Sequence, residues 1–196
     1  MSANVHIIDQ RRFSAGNFEH YASEARSMAG AFDNVAFQVN AAWSIDRICR
    51  RSLELSRNQI GLLRICCHGN SSYLQLGTEV RIPEDVYSFR LLRGCWVGDC
   101  PRIELDACGV LSNTPVACPP QGEMTVEQWQ AACTGGTIAP TSAGYSLAQA
   151  LADAAGILVV ASYDVQWAPA SVGFEGRIRY FRPATYYRHD GADPRA

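Results

Sequence analysis

Short strand-like runs alternate along this chain with segments of helical period, and that alternation most narrows the fold. The runs are Asn4–Asp9, Val35–Val39, Gly61–Cys67, Arg102–Ala107 and Ile157–Ser162. Asn17–Ala31 separates the first two and puts Phe18, Tyr21, Ala22, Ala25, Met28 and Ala29 on one helical face. Ser44 is placed to cap a second helix through about Leu55, with Ile45, Ile48, Cys49 and Leu53 inward. Pro83 suits the first turn of a third, running to about Arg93, and Ser142–Ala155 forms another, stopped by Gly156. Gly61–Cys67 is apolar on both faces except at Arg64, as a strand inside a parallel sheet must be. The expected architecture is α/β, a mostly parallel sheet with helices on both faces.

Smaller features fill in the rest. Tyr73–Leu76 and Glu79–Ile82 flank Gly77-Thr78 and read as a hairpin, and Arg177–Phe181 is a last strand. Residues 109–140, rich in Pro and Gly, form a long loop with one short helix near Val126–Cys133, where Thr125 and Gln128 fit a capping box. The tail from His189 is polar. No repeat or linker divides the 196 residues, so a single domain with its core over about 4–182 is expected. A chain of this size buries roughly 70% of its unfolded surface, enough for a core without staples.

Composition removes several classes of function. The net charge of −2 gives no electrostatic footprint for nucleic acid or an anionic membrane. No apolar run nears the ~20 residues of a membrane helix, and no secretory leader is visible, so a cytoplasmic protein is expected. All 17 basic residues are Arg. A GC-rich coding bias accounts for this; avoidance of lysine modification also would, but no other residue supports it. The eight cysteines form no Cys-x-x-Cys pair and no His stands at finger spacing, so neither metal nor other cofactor is expected. A disulfide scaffold is not expected either in a chain with its own core.

Chemistry in open α/β sheets gathers at the carboxyl ends of strands. Two such ends carry reactive side chains followed by Gly: Cys67-His68-Gly69 and Asp106-Ala107-Cys108-Gly109. If the two strands are neighbours, an imidazole meets a thiol. An ordinary thiol is only a few per cent thiolate at neutral pH, and an imidazole beside it takes its proton or stabilises the thiolate. Glycine after His68 admits a substrate backbone and leaves an N–H to face an oxyanion, a donor typically worth ~100- to 1,000-fold in rate. A single His or a single strand-end Cys is more often structural, so these residues alone leave a packed, inert site open.

The paired motifs resemble those of the caspase-like cysteine peptidases, which include caspases, metacaspases, legumains, gingipains, separases and bacterial CHAT domains. That family has a hydrophobic strand ending in His-Gly and a later strand ending in Ala-Cys. Cys108 follows His68 by 40 residues, against about 50 in the caspase pattern. Asp106 stands where caspases carry Gln, and Val110 replaces their final Gly. Ser71–Gly77 and Gly144–Ser162 are similar to the hairpin and the helix–strand of CHAT-like domains. The resemblance implies a three-layer α/β/α sandwich of caspase–haemoglobinase type. It also implies a cysteine endopeptidase with His68 and Cys108 as the dyad and the backbone N–H groups of Gly69 and Cys108 as the oxyanion hole. No residue that would orient His68 stands out.

In metacaspases the position two before the nucleophile is Asp, and cleavage follows Arg or Lys. Asp106 therefore implies a polypeptide substrate with a basic residue before the scissile bond, held by paired hydrogen bonds. That Asp106 caps a turn, or pairs with Arg102 or Arg64, is the competing reading. Asp164 and Trp167 are further candidates for the pocket wall. No basic residue lies between Arg102 and Arg177, so a basic-specific enzyme would not process itself in the 109–140 loop, which is then a lid or a docking site for a regulatory protein. Two other functions fit the same residues: a catalytically idle binding module, and another thiol acyl-transfer enzyme such as an amidase or transpeptidase.

Overall fold

The computed structural model describes residues 2–12, 15–27, 32–70, 73–81, 85–107, 110–111, 143–162 and 178–184. Within them the strands are β1 (Ala3–Asp9), β2 (Asp33–Val39), β3 (Ile60–Asn70), β4 (Tyr73–Gln75), β5 (Val80–Arg81), β6 (Arg102–Ala107), β7 (Leu158–Ser162) and β8 (Ile178–Phe181). The helices are α1 (Ala15–Ser27), α2 (Ile45–Ser56) and α3 (Ala143–Ala155), with a 3-10 helix at Asp85–Leu92. The main sheet has the order β2-β1-β3-β6-β7-β8; every neighbouring pair is parallel except β7–β8.

The expected α/β class and parallel sheet are therefore present. Ser44 caps α2, accepting from the Arg47 N–H at 3.2 Å, and Gly156 ends α3 with φ +68° and its N–H on Ala152 O at 2.9 Å. The helix expected from Pro83 is instead a 3-10 helix. The expected helix near Val126–Cys133, most of the 109–140 loop and the tail from His189 lie outside the described residues.

Strand alternation gives the sheet two unlike faces. Val5, Ile7, Leu63, Ile65, Cys67, Ile103, Leu105, Ala107, Val159 and Ala161 point one way, into a core with Ile48 of α2, Phe89 of the 3-10 helix and Leu147 and Leu151 of α3. Their even-numbered neighbours, His6, Arg64, Cys66, Glu104 and Asp106, are buried too but mostly polar, and Ile8 and Cys66 cluster with Tyr21 and Ala25 of α1. Arg64, the interruption in the apolar run, sits opposite Glu104 on β6 and donates from Nε at 2.7 Å. Arg102 reaches the other oxygen of the same carboxylate at 2.7 Å. A buried charge is tolerated only when paired in this way.

β3 does not stop at His68-Gly69 as its apolar run suggests. Its pairing with β6 ends at Cys67↔Ala107, and the strand continues through Asn70 against β4, with His68 opposite Gln75. His68 thus marks the point where β3 leaves the parallel sheet. The β4–β5 hairpin turns at Gly77 and Glu79, both at positive φ, and the glycine position has no room for a Cβ against the Trp43 carbonyl.

Candidate active site

β3 and β6 are direct neighbours, the condition on which an imidazole–thiol site depends. Their last paired residues, Cys67 and Ala107, immediately precede His68 and Cys108. Cys108 lies outside the described residues, as do the two proposed wall residues, Asp164 and Trp167. Gly69 is described: it is buried and pairs with Leu74 across the β3–β4 ladder.

His68 is half-buried, and its Nε2 stands 3.1 Å from the carbonyl oxygen of Arg11. A carbonyl can only accept, so Nε2 carries the proton. Burial first, and then the positive charge of Arg12, lower the pKa of His68 below 6.5, so the ring is neutral at pH 7 and Nδ1 holds the free lone pair. The group that orients His68 is thus a main-chain carbonyl from the loop after β1. A search of side-chain types has no means of finding it.

That loop is held by Asp9, the last residue of β1, which is fully buried. Its Oδ1 accepts from the Arg11 N–H at 3.0 Å and from Arg11 Nε at 2.8 Å. Its Oδ2 accepts from Arg11 Nη2 at 2.7 Å and from the Gly77 N–H at 2.9 Å. Arg11 Nη2 also donates to Gly77 O at 2.7 Å and Gln75 O at 3.2 Å, tying the loop to the hairpin. The ion pair with Asp9 raises the pKa of Arg11.

Asp106 is not an open carboxylate, and neither Arg64 nor Arg102 pairs with it. Arg12 Nη1 lies 2.9 Å from Asp106 Oδ1, with the side chains only 6% and 4% exposed. The same guanidinium donates to the Asp106 carbonyl and, at 3.5 Å, to the Cys67 carbonyl. Arg12 therefore clasps the ends of β3 and β6, at Cys67 one residue before His68 and at Asp106 two residues before Cys108. Asp106 Oδ2 also lies 3.4 Å from the Cys66 sulfur, which is 3.1 Å from the Tyr21 hydroxyl; that hydroxyl is 3.3 Å from His6 Nδ1. Burial lowers the pKa of His6 to about 4 and raises that of Cys66, so both are neutral at pH 7.

Asp9, Arg11, Arg12 and Tyr21 were not foreseen as part of this region. The one available signal is topological: β1 also ends at the carboxyl edge, in Asp-Gln-Arg-Arg, and becomes relevant once β1 is known to lie beside β3. Among the described residues no group of three or more His, Cys, Asp or Glu side chains is placed to hold a metal ion, and no helix is long and apolar enough to cross a membrane. Comparison with protein-family models, with curated proteins and with solved structures finds no match to this chain.

Proposed function

We propose that this chain is a cysteine endopeptidase of caspase-like, three-layer α/β/α fold, with His68 and Cys108 as its dyad. The observation that carries the reading is the parallel pairing of β3 and β6, which ends one residue before both motif residues. The neutral, carbonyl-anchored ring of His68 adds to it, because a free Nδ1 is what a base needs.

In this mechanism the Cys108 sulfur gives up its proton to His68 and attacks the scissile carbonyl. The resulting oxyanion is held by the N–H groups of Gly69 and Cys108. The C–N bond breaks as His68 returns the proton to the leaving amine. Water, deprotonated by the same ring, then attacks the thioester and frees Cys108. Selection of a basic residue before the scissile bond requires the substrate's guanidinium to take over the Asp106 carboxylate from Arg12. Asp164 and Trp167 are the proposed outer wall of that subsite, and the 109–140 loop the proposed lid or regulatory docking element.

The test has two readouts. Iodoacetamide labelling from pH 5 to 9 should modify Cys108 selectively at the acid end. Cys49, Cys66 and Cys67 are buried, and burial raises their pKa values, that of Cys49 to about 12, so they should stay unlabelled. A peptide library should be cut by the wild type and not by Cys108→Ala. Labelling of Cys108 no earlier than the partly exposed Cys95 and the exposed Cys100, with no cleavage, would establish an idle module instead. Cleavage after Asp with Arg-ending peptides ignored would overturn the proposed role of Asp106.

A further inference from the structure

We infer that Asp9 and Arg11 are positioning residues for His68: their ion pair aims the Arg11 carbonyl and thereby selects the ring tautomer. This deepens the dyad reading and rests on it for its catalytic meaning. The Arg11 carbonyl and the Arg12 N–H belong to one planar peptide unit, and in a trans peptide they point in opposite directions. The Arg12 N–H donates to the Asp9 carbonyl at 3.0 Å, so the other edge of that unit faces His68, whose Nε2 lies 3.1 Å from Arg11 O. The preceding peptide is held as well, because the Arg11 N–H donates to Asp9 Oδ1 at 3.0 Å. The side chain of the same residue closes a bidentate pair on that carboxylate.

Two features suit this arrangement to setting a proton position. Asp9 is fully buried, so its carboxylate is held by fixed donors and not by exchanging water. The lock also includes the strand that pairs with His68: Gly77 N–H donates to Asp9, and Arg11 donates to the carbonyls of Gln75 and Gly77, while Gln75 lies opposite His68. Backbone and acceptor on both sides of the imidazole are thus tied to one carboxylate. Loss of the tie leaves the carbonyl chemically present and free to turn away. Nε2 then loses its partner, and the proton is no longer confined to it.

The experiment reads the imidazole nitrogens of the full chain by ¹⁵N NMR, with the His68 signals assigned by their loss in His68→Asn. Wild type should show His68 in the Nε2–H form at pH 7.5. Arg11→Ala, which keeps the acceptor carbonyl, and Asp9→Asn should each move the tautomer ratio by about ten-fold, what one lost hydrogen bond is worth. The same variants should slow Cys108 alkylation at pH 6.5 by a similar factor. Asp9→Asn alters a fully buried site; if it does not fold, Arg11→Ala carries the test, since the Arg11 side chain is already 25% exposed. A folded Arg11→Ala protein with an unchanged His68 tautomer overturns the inference, as does an Nδ1–H ring in the wild type. An inert Cys108 in the wild type would remove the dyad reading while the tautomer response still reports on the lock.

Discussion

Replacing Arg12 by Met removes one charge from the Asp106 pair and keeps most of the side-chain stem. The expected cost depends on burial. Exposed ion pairs are worth about 0–1 kcal/mol, whereas loss of one partner from a buried pair costs about 3–5 kcal/mol by leaving the other charge uncompensated. With side chains 6% and 4% exposed at a separation of 2.9 Å, Arg12–Asp106 belongs to the second case. The nearby Cys66 sulfur, 3.4 Å from Oδ2, is a weak donor and recovers little. Arg12→Met should therefore lose about 3–5 kcal/mol, or roughly 6–20 °C in Tm for a chain of this size. Urea unfolding followed by tryptophan fluorescence reads the change, with a constant slope confirming that stability itself has moved. Asp106→Asn in the same chain removes the stranded charge, so the double variant should recover at least about 2 kcal/mol relative to additivity. A single variant within about 1 kcal/mol of wild type, or strictly additive losses, would show that this pair is solvated and does not hold the β3 and β6 ends together.

Stability should fall as pH drops below neutrality. The pKa of His6 is lowered from 6.5 to about 4 by burial and by the charge of Arg64, only partly offset by Asn34, Glu104 and Asp106. The unfolded chain thus binds a proton near pH 6.5 that the folded chain refuses until about pH 4, so this contribution is complete above 6.5 and lost across that window, up to roughly 3 kcal/mol. His6→Asn should flatten the slope of unfolding free energy between pH 6.5 and 4; an unchanged slope would mean that His6 is not the group responsible. Gly144→Ala should destabilise the protein by about 1–3 kcal/mol despite alanine's better helix propensity, because its Cβ would run into the Val110 carbonyl and the Leu111 backbone. A thermal melt at or above the wild-type midpoint would contradict that packing.

Much of the fold was legible from local pattern. The five strand-like runs became β1, β2, β3, β6 and β7, and the caps at Ser44 and Gly156 did what their residue types suggest. Periodicity of this kind is written within a few neighbouring residues, so it survives being read in one dimension. The extension of β3 beyond Gly69 was not legible, because His-Gly ends an apolar run without ending a strand. The 3-10 form of the Asp85–Leu92 segment was likewise not distinguished from an α-helix by apolar spacing.

By itself the sequence determined the alternation of strands and helices, the inward faces of α1 and α2, and the two short motifs that bear an imidazole and a thiol. Tertiary structure alone decided that β3 lies beside β6, that a carbonyl after β1 holds His68, and that Arg12 reaches Asp106 from 94 residues away. Side-chain periodicity is a property of the local backbone, but an acceptor for a ring nitrogen or a partner for a buried carboxylate is whatever the strand order brings near. That order is set by burial of the whole sheet, and no short stretch of residues records it.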